Sequence, residues 1–253
     1  MLLEVKGLTR HFGGLAAVSM LDLHVDHGET VGLIGPNGAG KSTVFNLITG
    51  FLRPTSGTIW FDGKNITGKK PHLNAKLGIG RAFQLAPVFR DFTVLQNVIA
   101  SFHLNPKLRL WHAFFNTPTY RRNEAHILDR SLEILDLLGL GSVKHDLGRN
   151  LPHGHQKMLG IARALAIRPK LLLLDEPIGG MNPEEINFAR TSIRKMQEQG
   201  VSILLVEHNM QIMDLCDRII VINFGRKIAE GSMAEVRENK EVIQAYFGGG
   251  HAA

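Results

Sequence analysis

The sequence has a single cysteine, Cys216, among 253 residues. With no second thiol in the chain an internal disulfide is excluded, and the composition fits a reducing compartment. Cys216 is expected to act as a small buried hydrophobe. Also missing is any apolar run of the roughly 18 residues needed to cross a bilayer, which excludes a membrane-spanning helix. The N-terminal Met1-Leu2-Leu3-Glu4-Val5-Lys6 lacks the charged-then-apolar layout of a secretory leader. No sustained heptads point to a coiled coil. A concentrated excess of one charge is missing too. A formal net charge of +6 is spread thinly, with small clusters only at Lys69-Lys70 and Arg121-Arg122. Charge alone therefore selects neither nucleic acid nor an anionic membrane as partner.

What is present is concentrated in one stretch, Gly35-Pro36-Asn37-Gly38-Ala39-Gly40-Lys41-Ser42-Thr43. It fits the phosphate-loop pattern, and its flanks agree. Thr30–Ile34 reads as a buried strand before it and Val44–Ile48 as a helix after it. Gly38 and Gly40 let the backbone curl so that N–H groups point at phosphate oxygens, and the helix start adds its positive end. Lys41 reaches the β and γ phosphates, and the Ser42 hydroxyl ligates Mg²⁺. The stretch is read as a nucleotide phosphate site.

Residues 2–34 alternate apolar and polar positions and predict an antiparallel β region. A turn at 53–57, a strand at 58–61 and a hairpin turn at Asp62-Gly63 follow. Phe12, beside Gly13-Gly14, is placed on a turn, either stacking on a base or packing in the core. Gly80–Gln84 predicts a short strand ending in an amide. Residues 93–140 differ. Val94, Leu95, Val98 and Ile99, then Ile127 to Leu138, lie at helical spacing, around an aromatic-rich connection at 104–122 with no clean period. Leu151–Gln156 opens a helix. Leu171–Leu174 is a buried parallel strand that delivers Asp175 and Glu176 at its carboxyl end. Asp175 there holds Mg²⁺ or its water, and Glu176 orients or deprotonates an attacking water. A helix at 183–198 leads to the strand 202–206 and then to His208. Strands at 218–222 and 226–229 and a terminal helix complete the chain.

In this order the motifs resemble the ATP-binding subunit of ABC transporters along nearly the whole chain. The resemblance implies an α/β P-loop NTPase core with an N-terminal antiparallel β region and an inserted α-helical subdomain. The core is expected at about 1–90 and 168–253, the helical part at about 91–167. It assigns Phe12 to adenine stacking, and Gln84 to the Q-loop glutamine, a nucleotide and metal contact. Leu151, Pro152, His153, Gly154, His155 and Gln156 match the signature segment that meets the partner subunit's ATP. Asp175 matches the metal-binding acid, Glu176 the catalytic base, and His208 the switch histidine at the γ-phosphate. ATP and Mg²⁺ are the implied cofactors.

Arg81-Ala82-Phe83-Gln84, the long 104–122 segment, Gly179–Glu185, Val206–Met210 and the Tyr246-Phe247-Gly248 ending are similar to the branched-chain amino acid importer branch. That branch implies an importer ATPase, peripheral on the cytoplasmic face of the inner (plasma) membrane. Its partners would be two transmembrane permeases, a second ATP-binding subunit (a copy or a paralogue) and, indirectly, a periplasmic or extracellular solute-binding protein, with no nucleic acid. The alternative is a soluble ABC ATPase acting on nucleic acid or ribosomes. DNA-repair types would carry a long coiled coil between Gln84 and Leu151, which is missing, and ribosome-acting types two cassettes. A kinase or switch GTPase would lack the signature segment. Two departures stand out. The signature usually begins Leu-Ser-Gly-Gly-Gln, where this chain has Pro152, His153 and His155. Asn182 replaces the usual Asp, a change also seen within this branch.

Overall fold

A computed structural model describes residues 1–82, 88–102 and 118–247. The chain divides into two compact units, residues 1–79, 170–176 and 196–253 forming one and residues 80–169 and 177–195 the other.

The first unit holds an antiparallel sheet of β1 (Leu3–Phe12), β2 (Leu15–Val25), β4 (Ser56–Phe61) and β5 (Lys64–Asn65), in the order β2-β1-β4-β5. Its period-two pattern turns Leu3, Val5, Leu21, Leu23, Val25, Ile59 and Phe61 inward. A register shift after Val5 lets Leu8 also face the core.

The second sheet is mainly parallel. Its order is β10-β9-β3-β8-β7-β6, with β3 Thr30–Ile34, β6 Ile79–Ala82, β7 Leu171–Asp175, β8 Ser202–Val206, β9 Arg218–Asn223 and β10 Arg226–Gly231. Strands covered on both faces read as continuous apolar runs, and Leu171 to Leu174 are all fully buried. Helix α1 (Lys41–Thr49) packs Val44, Phe45, Leu47 and Ile48 into the same core as the inward residues of both sheets. A helix the sequence pattern did not announce, α2 (Pro71–Leu77), starts at a proline and ends at Gly78. Helices α7 (Met210–Met213), α8 (Met233–Glu238) and α9 (Lys240–Phe247) also belong to this unit.

The second unit is mainly helical, with α3 (Val94–Phe102), α4 (Pro118–Leu137), α5 (His153–Ala166) and most of α6 (Pro183–Glu198). Helix α3 opens on a reciprocal cap between Thr93 and Gln96. Buried Asn97 bonds the backbone of Phe89, Phe92 and Thr93, fixing the segment before the helix. Residues 118–122, read from sequence as irregular, form the first turn of α4, and residues 103–117 lie outside the described set. No helix among the described residues is long and apolar enough to cross a membrane.

Candidate functional site

The predicted site residues fall into two groups, each within one unit. In the first unit, β3 runs into the loop 35–40 and then into α1. A Cβ at Gly35 would lie 2.1 Å from the Ile222 carbonyl oxygen, so the loop leaves the strand against the neighbouring strand's backbone. Gly40 has φ of 104°, and a Cβ there would meet the Ala17 carbonyl oxygen at 2.4 Å; only glycine fits. Gly40 is also the N-cap of α1, and no side chain caps that end, which leaves its N–H groups for an anion.

Lys41 turns back along the loop. Its Nζ donates to the carbonyls of Gly35 at 2.7 Å and Pro36 at 3.0 Å, which uses two of its three donors. Burial pulls the Lys41 ammonium below its ordinary pKa, while Glu176 and Asp175 oppose that by favouring the charged form. From the C-terminal side, Tyr246 of α9 meets the Gly35 backbone. Burial raises the Tyr246 hydroxyl, and the hydrogen bond with Gly35 works against the rise.

Asp175 ends β7, only 7% exposed, in register with Val206 of β8. Glu176 follows with φ of 49°, left-handed for a residue with a long side chain, and its N–H donates to the Val206 carbonyl at 2.9 Å. Such a conformation costs about 1–3 kcal/mol and collects at functional sites. Its carboxylate Oε1 lies 3.6 Å from Nε2 of His208, just beyond β8. That distance exceeds a direct hydrogen bond and leaves both side chains part-exposed to a ligand or water. Phe12 ends β1 rather than occupying the following turn. It is 45% exposed, which counts against the core reading, and the Arg10 guanidinium lies 4.7 Å from its ring centroid. Gln84 lies outside the described residues.

In the second unit, Leu151 is buried and Pro152 is the N-cap of α5, with φ −54° and ψ 156°. Gln156 donates its side chain to the Leu151 carbonyl at 2.8 Å and its N–H to that of Pro152 at 3.0 Å. The His153 ring packs at 3.4 Å against the position a Cβ would take at Gly180. His155 borders a groove of about 250 Å³ with Met158, Met181 and Phe188. The carboxylate of Glu185 rests against Gly154, where a Cβ would lie 2.4 Å from Oε1. Sequence reasoning missed Glu185. The available signal was Asn182 three residues before it, and the two cap α6 reciprocally. Glu207 was missed as well. It is 4% exposed, and its carboxylate accepts from the N–H groups of His208 and Asn209. Only its position, beside His208 at a strand end, could have flagged it.

A family model described as ABC transporter matches residues 18–179, and one described as Branched-chain amino acid ATP-binding cassette transporter matches residues 226–252. The chain is 40% identical to the high-affinity branched-chain amino acid transport ATP-binding protein BraF of Pseudomonas aeruginosa over 98% of both chains. Identity to LivG of Escherichia coli K12, which carries the same description, is also 40% over 98% of both. Among solved structures, the ADP conformation of MJ1267, an ATP-binding cassette of an ABC transporter, aligns with a TM-score of 0.83. It shares 30% identity over 98% of each chain. With motif order, fold and whole-length similarity in agreement, this chain belongs to the ABC transporter family as one of its ATP-binding, ATP-hydrolysing cassettes.

Proposed function

We propose that the chain powers a membrane importer for branched-chain amino acids or related small polar solutes. The observation that carries this reading is the 40% identity, end to end, to two ATP-binding proteins of branched-chain amino acid transport. In this reading the chain sits peripherally on the cytoplasmic face of the membrane and couples to two permeases. It pairs with a second ATP-binding subunit, and a solute-binding protein delivers the cargo.

The ATP phosphates lie on the loop 35–43, where the third Lys41 donor and the uncapped start of α1 face them. Phe12 offers its exposed ring to the base. Glu176 accepts the proton of the water that attacks the γ-phosphorus as ADP leaves, and His208 holds the γ-phosphate. Leu151–Gln156 serves the ATP bound to the partner subunit, and Gln84, outside the described residues, is assigned by the family pattern to the metal and the permeases. Mg²⁺ suits the oxygen donors the chain supplies, the Ser42 hydroxyl and the Asp175 carboxylate. No cluster of three or more His, Cys, Asp or Glu occurs among the described residues, which fits an ion held largely by phosphate and water. When bound, it neutralises charge on the β and γ phosphates.

The test is reconstitution of the chain with its permeases and binding protein in proteoliposomes. Leucine, isoleucine or valine should stimulate ATP hydrolysis and enter with it, and Glu176→Gln should lower turnover about 10²–10⁴-fold while ATP still binds. Turnover indifferent to branched-chain amino acids would refute the cargo. Near-normal single-turnover hydrolysis by Glu176→Gln would refute the assignment of the base.

A further inference from the structure

We infer that Glu207 is a positioning residue for His208, and that the end of β8 sets the geometry of the Glu176–His208 pair. The inference rests on the proposed roles of Glu176 and His208.

Glu207 is a carboxylate at 4% exposure, and such groups stay buried only with partners. Its Oε2 accepts the His208 N–H at 2.9 Å and the Asn209 N–H at 3.3 Å. One carboxyl oxygen thus accepts from two successive amides at the point where the strand turns. The residue before it does the matching task across the sheet, because the Val206 carbonyl accepts the Glu176 N–H at 2.9 Å. Two neighbouring residues of β8 and its exit therefore hold the backbones of the two side chains that meet at 3.6 Å. Glu176 needs that hold, since its φ of 49° is not one the chain adopts by itself.

The plainer account makes Glu207 a cap for α7. That helix already has its own cap, since the Asn209 side chain accepts from the Gln211 N–H at 2.9 Å. The Glu207 bonds land just ahead of that helix, the shorter on His208 and the longer on the capping residue Asn209. Without them the backbone of His208 loses its fixed direction, and the imidazole no longer returns to one place opposite Glu176.

The experiment is a double-mutant cycle read as ATP turnover. A misplacement of ~1 Å costs about 100-fold, so Glu207→Ala should lower kcat by roughly 10- to 100-fold and leave KM for ATP within about twofold. Glu207→Gln keeps an acceptor oxygen and should hold kcat within about threefold. On a His208→Ala background, Glu207→Ala should add less than about twofold, because both act through one group. Glu207→Met fills the same volume without an acceptor and replaces alanine if the cavity unfolds the protein. Equal, additive losses in both backgrounds would overturn the inference and leave the site reading intact. Unchanged turnover in His208→Ala itself would overturn both.

Discussion

Gly154→Asp separates what the start of α5 does for folding from what it does for ATP. A Cβ at Gly154 would lie 2.4 Å from Glu185 Oε1 and 2.7 Å from its carboxyl carbon, so the Glu185 side chain must leave. Leaving breaks the bond that its Oε2 accepts from the Asn182 N–H at 2.8 Å, a helix cap worth about 1 kcal/mol. The new carboxylate then faces the old one. Two like charges ~4 Å apart repel by about 1 kcal/mol in water and about 4 kcal/mol at an effective dielectric near 20. Glu185 is only partly buried, so a total of roughly 2–4 kcal/mol is expected. At ~2–4 °C per kcal/mol for a chain of this size, the unfolding midpoint should fall by roughly 5–15 °C.

Adding Glu185→Ala removes the repelling partner and should restore most of that stability. Turnover should behave differently. If the N–H groups after Pro152 receive the partner's phosphate, the new negative charge still blocks them, and hydrolysis should stay down by about 10²–10³-fold in both variants. ATP affinity of the isolated subunit, titrated with a fluorescent analogue, should not change. Thermal unfolding, titration and steady-state turnover of wild type, single and double variants give the full comparison. Turnover that returns together with stability in the double variant would show that the segment is only structural. Normal turnover in Gly154→Asp would remove it from the ATP site.

Lys41→Ala should weaken ATP binding itself, because the ammonium acts on the phosphates before and during reaction; unchanged affinity in the fluorescent titration would move the phosphates elsewhere. Arg218→Ala should cost about 1–2 kcal/mol in urea unfolding, since it removes the ion pairs with Glu29 and Glu230, whose side chains are 16% and 25% exposed, while Lys227 still pairs with Glu230. Burial raises the Glu230 carboxyl, but Lys227 and Arg218 outweigh it and leave the group below its ordinary 4.5. Its share of stability is therefore complete above that value and lost as pH falls through the folded-state value, so the gap between wild type and Arg218→Ala should narrow in acid. Burial pushes the Cys216 thiol up to about 12, leaving ~1 thiolate in 10⁴ at pH 8. Cys216 is only partly buried, short of the buried hydrophobe expected from sequence. A thiol reagent should therefore react slowly with the native protein and faster once urea unfolds the chain; equal rates would contradict the raised pKa.

The phosphate loop and the Asp175-Glu176 strand end were legible in the sequence because their chemistry is contiguous. A loop that must curl needs its glycines in consecutive turns, and a buried strand announces its acids by four leucines in a row. Phe12 was half legible. Its residue type suited a base or a core equally, and only its exposure and the Arg10 contact separate the two. Helix α2 was hidden because Pro71–Leu77 buries only Asn74, whose amide donates to the Ile48 carbonyl. No apolar period marks a helix held that way. Glu185 and Glu207 were hidden for another reason. Glu185 is one of two adjacent acids and Glu207 a lone acid after an apolar run, and what distinguishes each is the backbone its carboxylate reaches.

The two departures from the family pattern looked unrelated in sequence, about thirty residues apart, yet they adjoin in space. His153 packs on Gly180, Gly154 lies under Glu185, and Glu185 exchanges caps with Asn182. An aspartate at 182 would put a second negative charge next to the Glu185 carboxylate, which already sits at the positive end of α5. Asparagine keeps the acceptor that caps α6 and omits the charge. Proline at 152 has the extended backbone that an N-cap requires and no N–H to satisfy, so the altered opening still starts a helix without a serine. The unusual Pro152, His153 and Asn182 are thus near neighbours, linked through Gly154, Gly180 and Glu185.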